Sequence, residues 1–219
     1  YRRQRQMCIR DSMCTYLQQI IDYINAKNID VSIVTNGSLL TKDFIIKNSQ
    51  KISYIGISVD SLEHNTNIKI GRCQKNKTIN KNELIDICKF IKDRGIKLKI
   101  NHCISKYNFN EDISDFIKTV APNRFKIFQM SIVEGINDKC KQMQVTQEEF
   151  EKCCNKYKKL NPVIENEYEM KGSYLMIDSI GDFYIDRSDA AIGNAIYESF
   201  IEMMNRAQLD DTSFAKRYT

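Results

Sequence analysis

Apolar residues recur along the chain at two spacings, one typical of helices and one typical of strands. Leu17, Ile20 and Ile24 are three to four residues apart, which predicts a helix ending near Asn28. The apolar stretch that follows, 30–37, predicts a buried strand that closes on a turn. The alternation continues with predicted helices over 41–49, to about 70, over 84–95 and over 111–120, and with strands over 52–60, 97–104 and 124–133.

Strands separated by helices predict a parallel sheet of the α/β class, as in β/α barrels and doubly wound folds. Each predicted strand ends in polar residues, at the edge where parallel α/β folds bind their ligands. These residues are Asn36, Ser58, Asp60, Asn101, His102 and Gln129. A single polar strand end is typical of a cap or a turn, whereas four in succession favour a binding site.

Two of the predicted strands carry positive charge within apolar stretches. Because side chains alternate between the faces of a strand, Lys99 and Asn101 share one face. Arg124 and Lys126 share a face of the next strand for the same reason. No acidic residue interrupts either strand, and an unpaired cation in a core costs several kcal/mol. We therefore predict a ligand that supplies negative charge, the simplest being a polyphosphate.

After Glu134-Gly135 the alternation of helix and strand stops. A helix of mixed charge is predicted over 146–160, where Thr146 and Glu149 have the spacing of a capping box. A hairpin is then predicted from 173–178 and 182–186, turning near Ile180-Gly181, and a last helix is predicted to start near Asp189.

Composition excludes several classes of protein. The 219 residues are 42% hydrophobic, enough for one sizeable core. The net charge of +5 arises from 33 basic and 28 acidic residues spread along the chain, so we expect no nucleic-acid partner. No apolar run has the length of a membrane span, so we expect no membrane partner. Eight cysteines without a Cys-x-x-Cys pair or a secretory signal favour free thiols in a reducing compartment, the cytoplasm.

The first 12 residues depart from the pattern, and we expect them to lie outside the fold. Met7-Cys8-Ile9-Arg10-Asp11 is the translation of ATG TGT ATA AGA GAC, which resembles a transposon end used in sequencing libraries. We interpret residues 1–12 as an adapter-like artefact, with a basic disordered arm as the alternative. On this interpretation the natural sequence begins at Met13, in the middle of its gene, and its N-terminal part is missing.

A series of short motifs resembles the viperins, radical S-adenosylmethionine (SAM) enzymes of antiviral defence that include prokaryotic members. The resemblance covers about residues 15–219 and extends to the gaps between the motifs. In chain order the motifs are Ile57-Ser58-Val59-Asp60-Ser61, Ile70-Gly71-Arg72, Lys99-Ile100-Asn101, Arg124-Phe125-Lys126-Ile127-Phe128-Gln129 and Ser173-Tyr174-Leu175-Met176-Ile177-Asp178.

The resemblance implies a partial six-stranded β/α barrel, of which residues 13–134 supply strands three to six. Residues 135–219 then form a C-terminal α/β extension with a hairpin. The implied cofactors are SAM and a [4Fe–4S] cluster. The family holds them with Cys-x-x-x-Cys-x-x-Cys and Gly-Gly-Glu-Pro, and neither motif occurs in this sequence. We expect both motifs upstream of Met13, so that this chain alone is inactive.

For the whole enzyme, the resemblance implies conversion of a nucleoside triphosphate to its 3′-deoxy-3′,4′-didehydro analogue through a 5′-deoxyadenosyl radical. A reductant or electron-donor protein is an implied partner. The resemblance assigns Ser58 to the SAM ribose, Arg72 to the SAM carboxylate and Asn36 to the surroundings of the methionine moiety. It assigns the substrate to Lys99, Asn101, Arg124, Lys126 and Tyr174, and catalysis to Asn101 and Tyr174.

Two alternatives remain open. Another radical SAM enzyme, acting on a peptide or a small molecule, would share Ser58 and Arg72 but would not need Lys99, Arg124 and Lys126. A non-catalytic module that binds a nucleotide or RNA would keep the cations and would lack the cysteine motif upstream.

Overall fold

A computed structural model of the chain places six strands in one sheet, in the order in which they follow one another in the sequence. The structure describes residues 4–9, 15–73, 75–132, 137–166, 175–185 and 190–207. The strands are β1 (Gln4–Ile9), β2 (Asp30–Thr35), β3 (Ile52–Ser58), β4 (Lys97–Ile104), β5 (Arg124–Gln129) and β6 (Val163–Glu165). Strands β1 to β5 pair in parallel, which confirms the predicted α/β class.

Helices connect the parallel strands, as the alternating pattern predicts. They are α1 (Leu17–Ala26), α2 (Lys42–Asn48), α3 (His64–Lys69), α4 (Lys81–Asp93), α5 (Ser114–Val120) and α6 (Gln147–Lys156). Helix α6 begins with the predicted capping box, in which Thr146 accepts a hydrogen bond from the Glu149 amide and Glu149 accepts one from the Thr146 amide. Gly95, with φ of +76°, lies in the left-handed region just after α4 and ends that helix.

The two faces of the sheet differ in polarity. One face carries the core with the helices, and its strand residues are Val31, Ile33, Ile55, Ile57, Leu98, Ile100, Phe125 and Ile127, all buried. Because side chains alternate along a strand, the residues between these lie on the opposite face. There the register places Gly56, Lys99 and Arg124 in one row across three strands. Ser58, Asn101 and Lys126 form the next row, closer to the carboxyl ends.

Segment 4–9 corrects the expectation that residues 1–12 lie outside the fold. Strand β1 pairs with β2 from Gln4↔Asp30 to Ile9↔Thr35. Pairing uses backbone N–H and C=O groups, which every residue except proline carries, so it requires no side-chain pattern that the sequence would show. The adapter origin of the stretch stays a prediction. In the described part of the chain, β1 and β6 are the outermost strands, so the sheet is open and the barrel is partial.

The chain divides into two compact units, residues 1–130 with 142–164 and residues 131–141 with 165–219. In the second unit β7 (Leu175–Ile177) pairs antiparallel with β8 (Asp182–Ile185), which confirms the predicted hairpin. The predicted helix start near Asp189 lies outside the described residues. Downstream of it, β9 (Gly193–Asn194) pairs with β8, and helix α7 (Phe200–Arg206) begins only after that strand. No helix in the described ranges has the length and apolar content to cross a membrane.

Candidate functional site

A cleft opens at the carboxyl ends of β2 and β3, where Asn36, Ser58 and Arg72 all line it. Asn36 follows β2, Ser58 is the last residue of β3, and Arg72 follows α3. The segment between α3 and α4 and the first turn of α4 complete one wall with Lys77, Ile79 and Leu84. The three residues that the resemblance assigns to one ligand are therefore neighbours in space.

A tight turn shapes the rim beside Asn36. The Asn36 Oδ1 atom accepts hydrogen bonds from the Ser38 amide at 3.0 Å and the Ser38 hydroxyl at 2.8 Å. Gly37 has φ of +84°, and a Cβ atom at this residue would lie 3.3 Å from Ile79 Cδ1. Glycine is required here because of both the backbone conformation and the close approach of Ile79. The turn occupies the Asn36 oxygen, so this residue offers its amide nitrogen to a ligand.

Arg72 is held by a buried carboxylate. Its Nε donates to Asp60 Oδ2 at 2.5 Å, and the Asp60 side chain is only 8% exposed. The other Asp60 oxygen, Oδ1, accepts a hydrogen bond from the Cys103 amide of β4 at 2.9 Å. From the sequence, Asp60 is recognisable only as a polar strand end, without an assigned role. Its position two residues after Ser58 is the one signal of its importance.

A buried hydrogen-bond network supports this pair from the β4 side. Asn108 Nδ2 donates to the Asp60 carbonyl at 2.5 Å and to the Cys103 carbonyl at 2.8 Å. Ser61, the residue after Asp60, donates its hydroxyl hydrogen to Glu111 Oε2 at 2.5 Å. Buried polar groups that are satisfied in this way fix a single arrangement, so the strand ends under the cleft are rigid.

The cationic residues lie on the sheet face opposite the helices. Lys99 is 7% exposed and Lys126 is 4% exposed, and Arg124 is half-buried. Lys126 also lies over the Phe128 ring, with Nζ 5.4 Å from the ring centroid. Lys99, Arg124 and Lys126 each have an interaction within the chain. The expectation that only a ligand would partner these cations is therefore wrong, because interactions that form in the folded chain are not visible in the local sequence.

Asn101 lies between the cleft and the cations, opposite Ser58 on one side and Lys126 on the other. The residue is only 8% exposed, and its Oδ1 is buried without a hydrogen-bond partner among the described residues. A buried acceptor left unsatisfied costs about 1–3 kcal/mol, so the atom is suited to a donor on a ligand. Gly56 lies beside it, and a Cβ there would make a tight contact with Val34 Cγ2 at 3.2 Å and an ordinary one with Asn101 Nδ2 at 3.6 Å.

His102 points to the helix side and is a core residue. Its Nδ1 is 2.8 Å from the Val59 carbonyl, which fixes the proton on Nδ1, and its ring packs edge-on against Tyr157 with 5.6 Å between centroids. Burial lowers the pKa of His102, and the Val59 hydrogen bond and the carboxylates of Asp60 and Glu111 oppose this shift without outweighing it. His102 is thus neutral in the folded chain.

This neutral histidine predicts a loss of stability in acid. The unfolded chain takes up a proton on His102 below its ordinary pKa of about 6.5, and the folded chain does not. Stability from this group is present above pH of about 6.5 and is lost as the pH falls, by up to about 2 kcal/mol at pH 5. Denaturant unfolding is measured at pH 5 and above pH of about 6.5. Between these two conditions, His102→Asn should lose less free energy of unfolding than the unsubstituted chain. His64→Asn, which replaces an exposed histidine, is the matched control variant. An equal dependence in His102→Asn would refute a neutral His102.

One predicted site residue, Tyr174, lies outside the described residues, so its position relative to Asn101 stays a prediction. Within the described ranges, no group of three or more His, Cys, Asp and Glu side chains is placed to hold a metal ion. The cysteines whose side chains the structure describes, among them Cys73 in the cleft, are free thiols.

Comparison with known proteins finds relatives that share one functional name. No family model matches the chain. An S-adenosylmethionine-dependent nucleotide dehydratase of Flammeovirga pacifica is 33% identical over 195 residues, covering 87% of this chain and 65% of the relative. Another of this name from Lacinutrix mariniflava is 34% identical over 175 residues, covering 78% and 37%. A third from Danio rerio, RSAD2, is 29% identical and covers 68% and 43%. The chain thus spans less than two thirds of each of these relatives.

Solved structures share the fold at low sequence identity. SuiB of Streptococcus suis bound to S-adenosylmethionine has a TM-score of 0.63 at 16% identity, covering 94% of this chain and 54% of that chain. Native anSMEcpe with bound AdoMet has a TM-score of 0.56 at 12% identity, covering 94% and 64%. At these identities the likeness shows the fold alone, an α/β barrel that is partial in this chain.

Proposed function

We propose that this chain, a homologue of the S-adenosylmethionine-dependent nucleotide dehydratases with the radical SAM fold, binds SAM and a nucleoside triphosphate side by side. The observation that carries the proposal is the row Ser58, Asn101 and Lys126 across three adjacent strands. One end of this row lines the cleft with Arg72, and the other end is cationic. The reaction is removal of water from the nucleotide ribose, giving a 3′-deoxy-3′,4′-didehydro analogue.

The cleft fits SAM by the chemistry of its donors. The Ser58 hydroxyl suits the ribose, and the Arg72 guanidinium suits the carboxylate, since its planar fork matches carboxylate oxygens. Asn36 lies beside the methionine moiety in this arrangement. When bound, SAM and a [4Fe–4S] cluster supply the radical that takes a hydrogen atom from the substrate. The cysteine motif that holds the cluster in viperins is not in this sequence.

The nucleotide lies along β4 and β5. Lys99, Arg124 and Lys126 bind the triphosphate, because charge-assisted hydrogen bonds from several cations favour a polyanion. Asn101 accepts a hydrogen bond from a ribose hydroxyl through its buried Oδ1 and so orients the sugar toward the cofactor. The resemblance also assigns Tyr174 to the substrate, and this residue lies outside the described ranges. The cysteines whose side chains the structure describes are free thiols, which supports a reducing compartment, the cytoplasm.

Product analysis tests the reaction. The intact protein is reconstituted anaerobically and incubated with SAM, a chemical reductant in place of the electron donor, and each of the common ribonucleoside triphosphates in turn. Mass spectrometry should detect 5′-deoxyadenosine together with a nucleotide that has lost one water. Formation of 5′-deoxyadenosine with modification of a peptide and no dehydrated nucleotide would instead support a peptide-modifying radical SAM enzyme.

A further inference from the structure

We infer that Asp60 is a positioning residue for the cofactor: it holds the Arg72 guanidinium in the orientation that binds the SAM carboxylate. The inference rests on the proposed function of the cleft and assigns a role to a residue that has none in the resemblance. Asp60 also lines the cleft, but both of its carboxylate oxygens accept hydrogen bonds from the protein, so we assign its effect on the cofactor to Arg72.

Hydrogen bonds fix both the side chain and the backbone of Asp60. Its two carboxylate oxygens have separate partners, Arg72 Nε at 2.5 Å and the Cys103 amide at 2.9 Å. The Asp60 backbone is fixed as well, since its carbonyl accepts from Asn108 at 2.5 Å and Asn108 is fully buried. The carboxylate is thus oriented by the backbone of β4 and cannot turn away from Arg72 without breaking a buried hydrogen bond.

Arg72, in contrast, has a long side chain that is partly exposed, and the bond to Asp60 fixes its Nε atom. Its side chain is 35% exposed and follows the turn at Gly71, where φ is +78° and no atom lies within 4 Å of the position that a Cβ would take. A long, partly exposed side chain loses conformational entropy when a ligand immobilises it. Holding the guanidinium by Nε before SAM arrives removes part of that cost, which is the energetic advantage of preorganisation.

If Asp60 acted only through its charge, its removal would have the opposite effect on SAM binding from the one that positioning predicts. A buried carboxylate next to Arg72 neutralises it and repels the carboxylate of SAM, so removing the negative charge would strengthen binding. Positioning predicts that the same change weakens binding. Asp60→Asn separates the two, because the amide can still accept from the Cys103 N–H while its NH2 group cannot accept from Arg72.

Calorimetric titrations of the intact protein with SAM and with 5′-methylthioadenosine, which lacks the amino-acid moiety, test the inference. Asp60→Asn should weaken SAM binding about tenfold, equivalent to about 1.4 kcal/mol, and should leave 5′-methylthioadenosine binding within about twofold. In the Arg72→Ala background it should cause no further loss of SAM affinity, since Asp60 acts only through Arg72. Asp60→Glu keeps the negative charge and should retain more SAM affinity than Asp60→Asn. If Asp60→Asn does not fold, Asp60→Glu is the variant that is compared with the parent protein. The control is Asp30→Asn, at the amino end of β2, where Asp30 accepts from Ser53 far along the strand from the cleft.

Unchanged or stronger SAM binding in Asp60→Asn, equal losses for the two ligands, or additive losses in the double variant would each overturn the inference. These outcomes differ from failure of the proposed function, in which the parent protein itself binds no SAM or Arg72→Ala leaves SAM affinity intact.

Discussion

Lys126→Ala should weaken binding of a nucleoside triphosphate to the intact protein by between about tenfold and about a hundredfold. The expected loss is that of one charge-assisted hydrogen bond, about 1.5–3 kcal/mol. Lys126 is 4% exposed and is the register partner of Asn101 in the sheet, so a bond from it to the nucleotide would form with little competition from water. Binding measured by calorimetry should fall much less for the corresponding monophosphate, and the SAM affinity should be nearly unchanged.

Lys97→Ala is the matched control for Lys126→Ala. Lys97 lies on the same sheet face at the start of β4, two residues before Lys99 and away from the carboxyl edge. It is exposed, and its Nζ lies 5.4 Å from the Tyr54 ring centroid. Its removal should leave both nucleotide affinities unchanged. If Lys126→Ala weakened mono- and triphosphate equally, Lys126 would contact the base or the ribose and the assignment of the triphosphate to β4 and β5 would be wrong.

Arg72→Ala should reduce SAM affinity by about a hundredfold, because a guanidinium fork donates two charge-assisted hydrogen bonds to one carboxylate. Part of the effect arises from Asp60, a buried carboxylate that loses the cation bonded to its Oδ2. Arg72→Lys separates these contributions. It keeps a cation beside Asp60 but cannot bind a second carboxylate through a planar fork, so SAM affinity should remain well below that of the parent. Full affinity in Arg72→Lys would contradict a bidentate role.

The parts of the fold that depend on local sequence were predictable. The bounds of β4 are the predicted ones, and the capping box of Thr146 and Glu149 forms as the spacing indicates. The convergence of Asn36, Ser58 and Arg72 on one cleft also agrees with the sequence-based expectation, since parallel strands place their carboxyl ends at one edge.

The parts that depend on distant segments were not predictable. Strand β1 is held by backbone pairing to β2, which leaves no mark in side-chain pattern. Strand β9 pairs with β8 ahead of α7, and the short run Gly193–Asn194 has no strand periodicity that would reveal it. The role of Asp60 depends on the Cys103 amide, which is 43 residues away in the sequence.

The most direct test of two adjacent ligand sites is a set of separate titrations of SAM and of a nucleoside triphosphate into the parent protein, Arg72→Ala and Lys126→Ala. The proposed arrangement predicts that Arg72→Ala loses affinity for SAM and keeps affinity for the nucleotide, whereas Lys126→Ala does the reverse. Loss of nucleotide affinity alone in Arg72→Ala, or equal loss of both ligands in either variant, would contradict it.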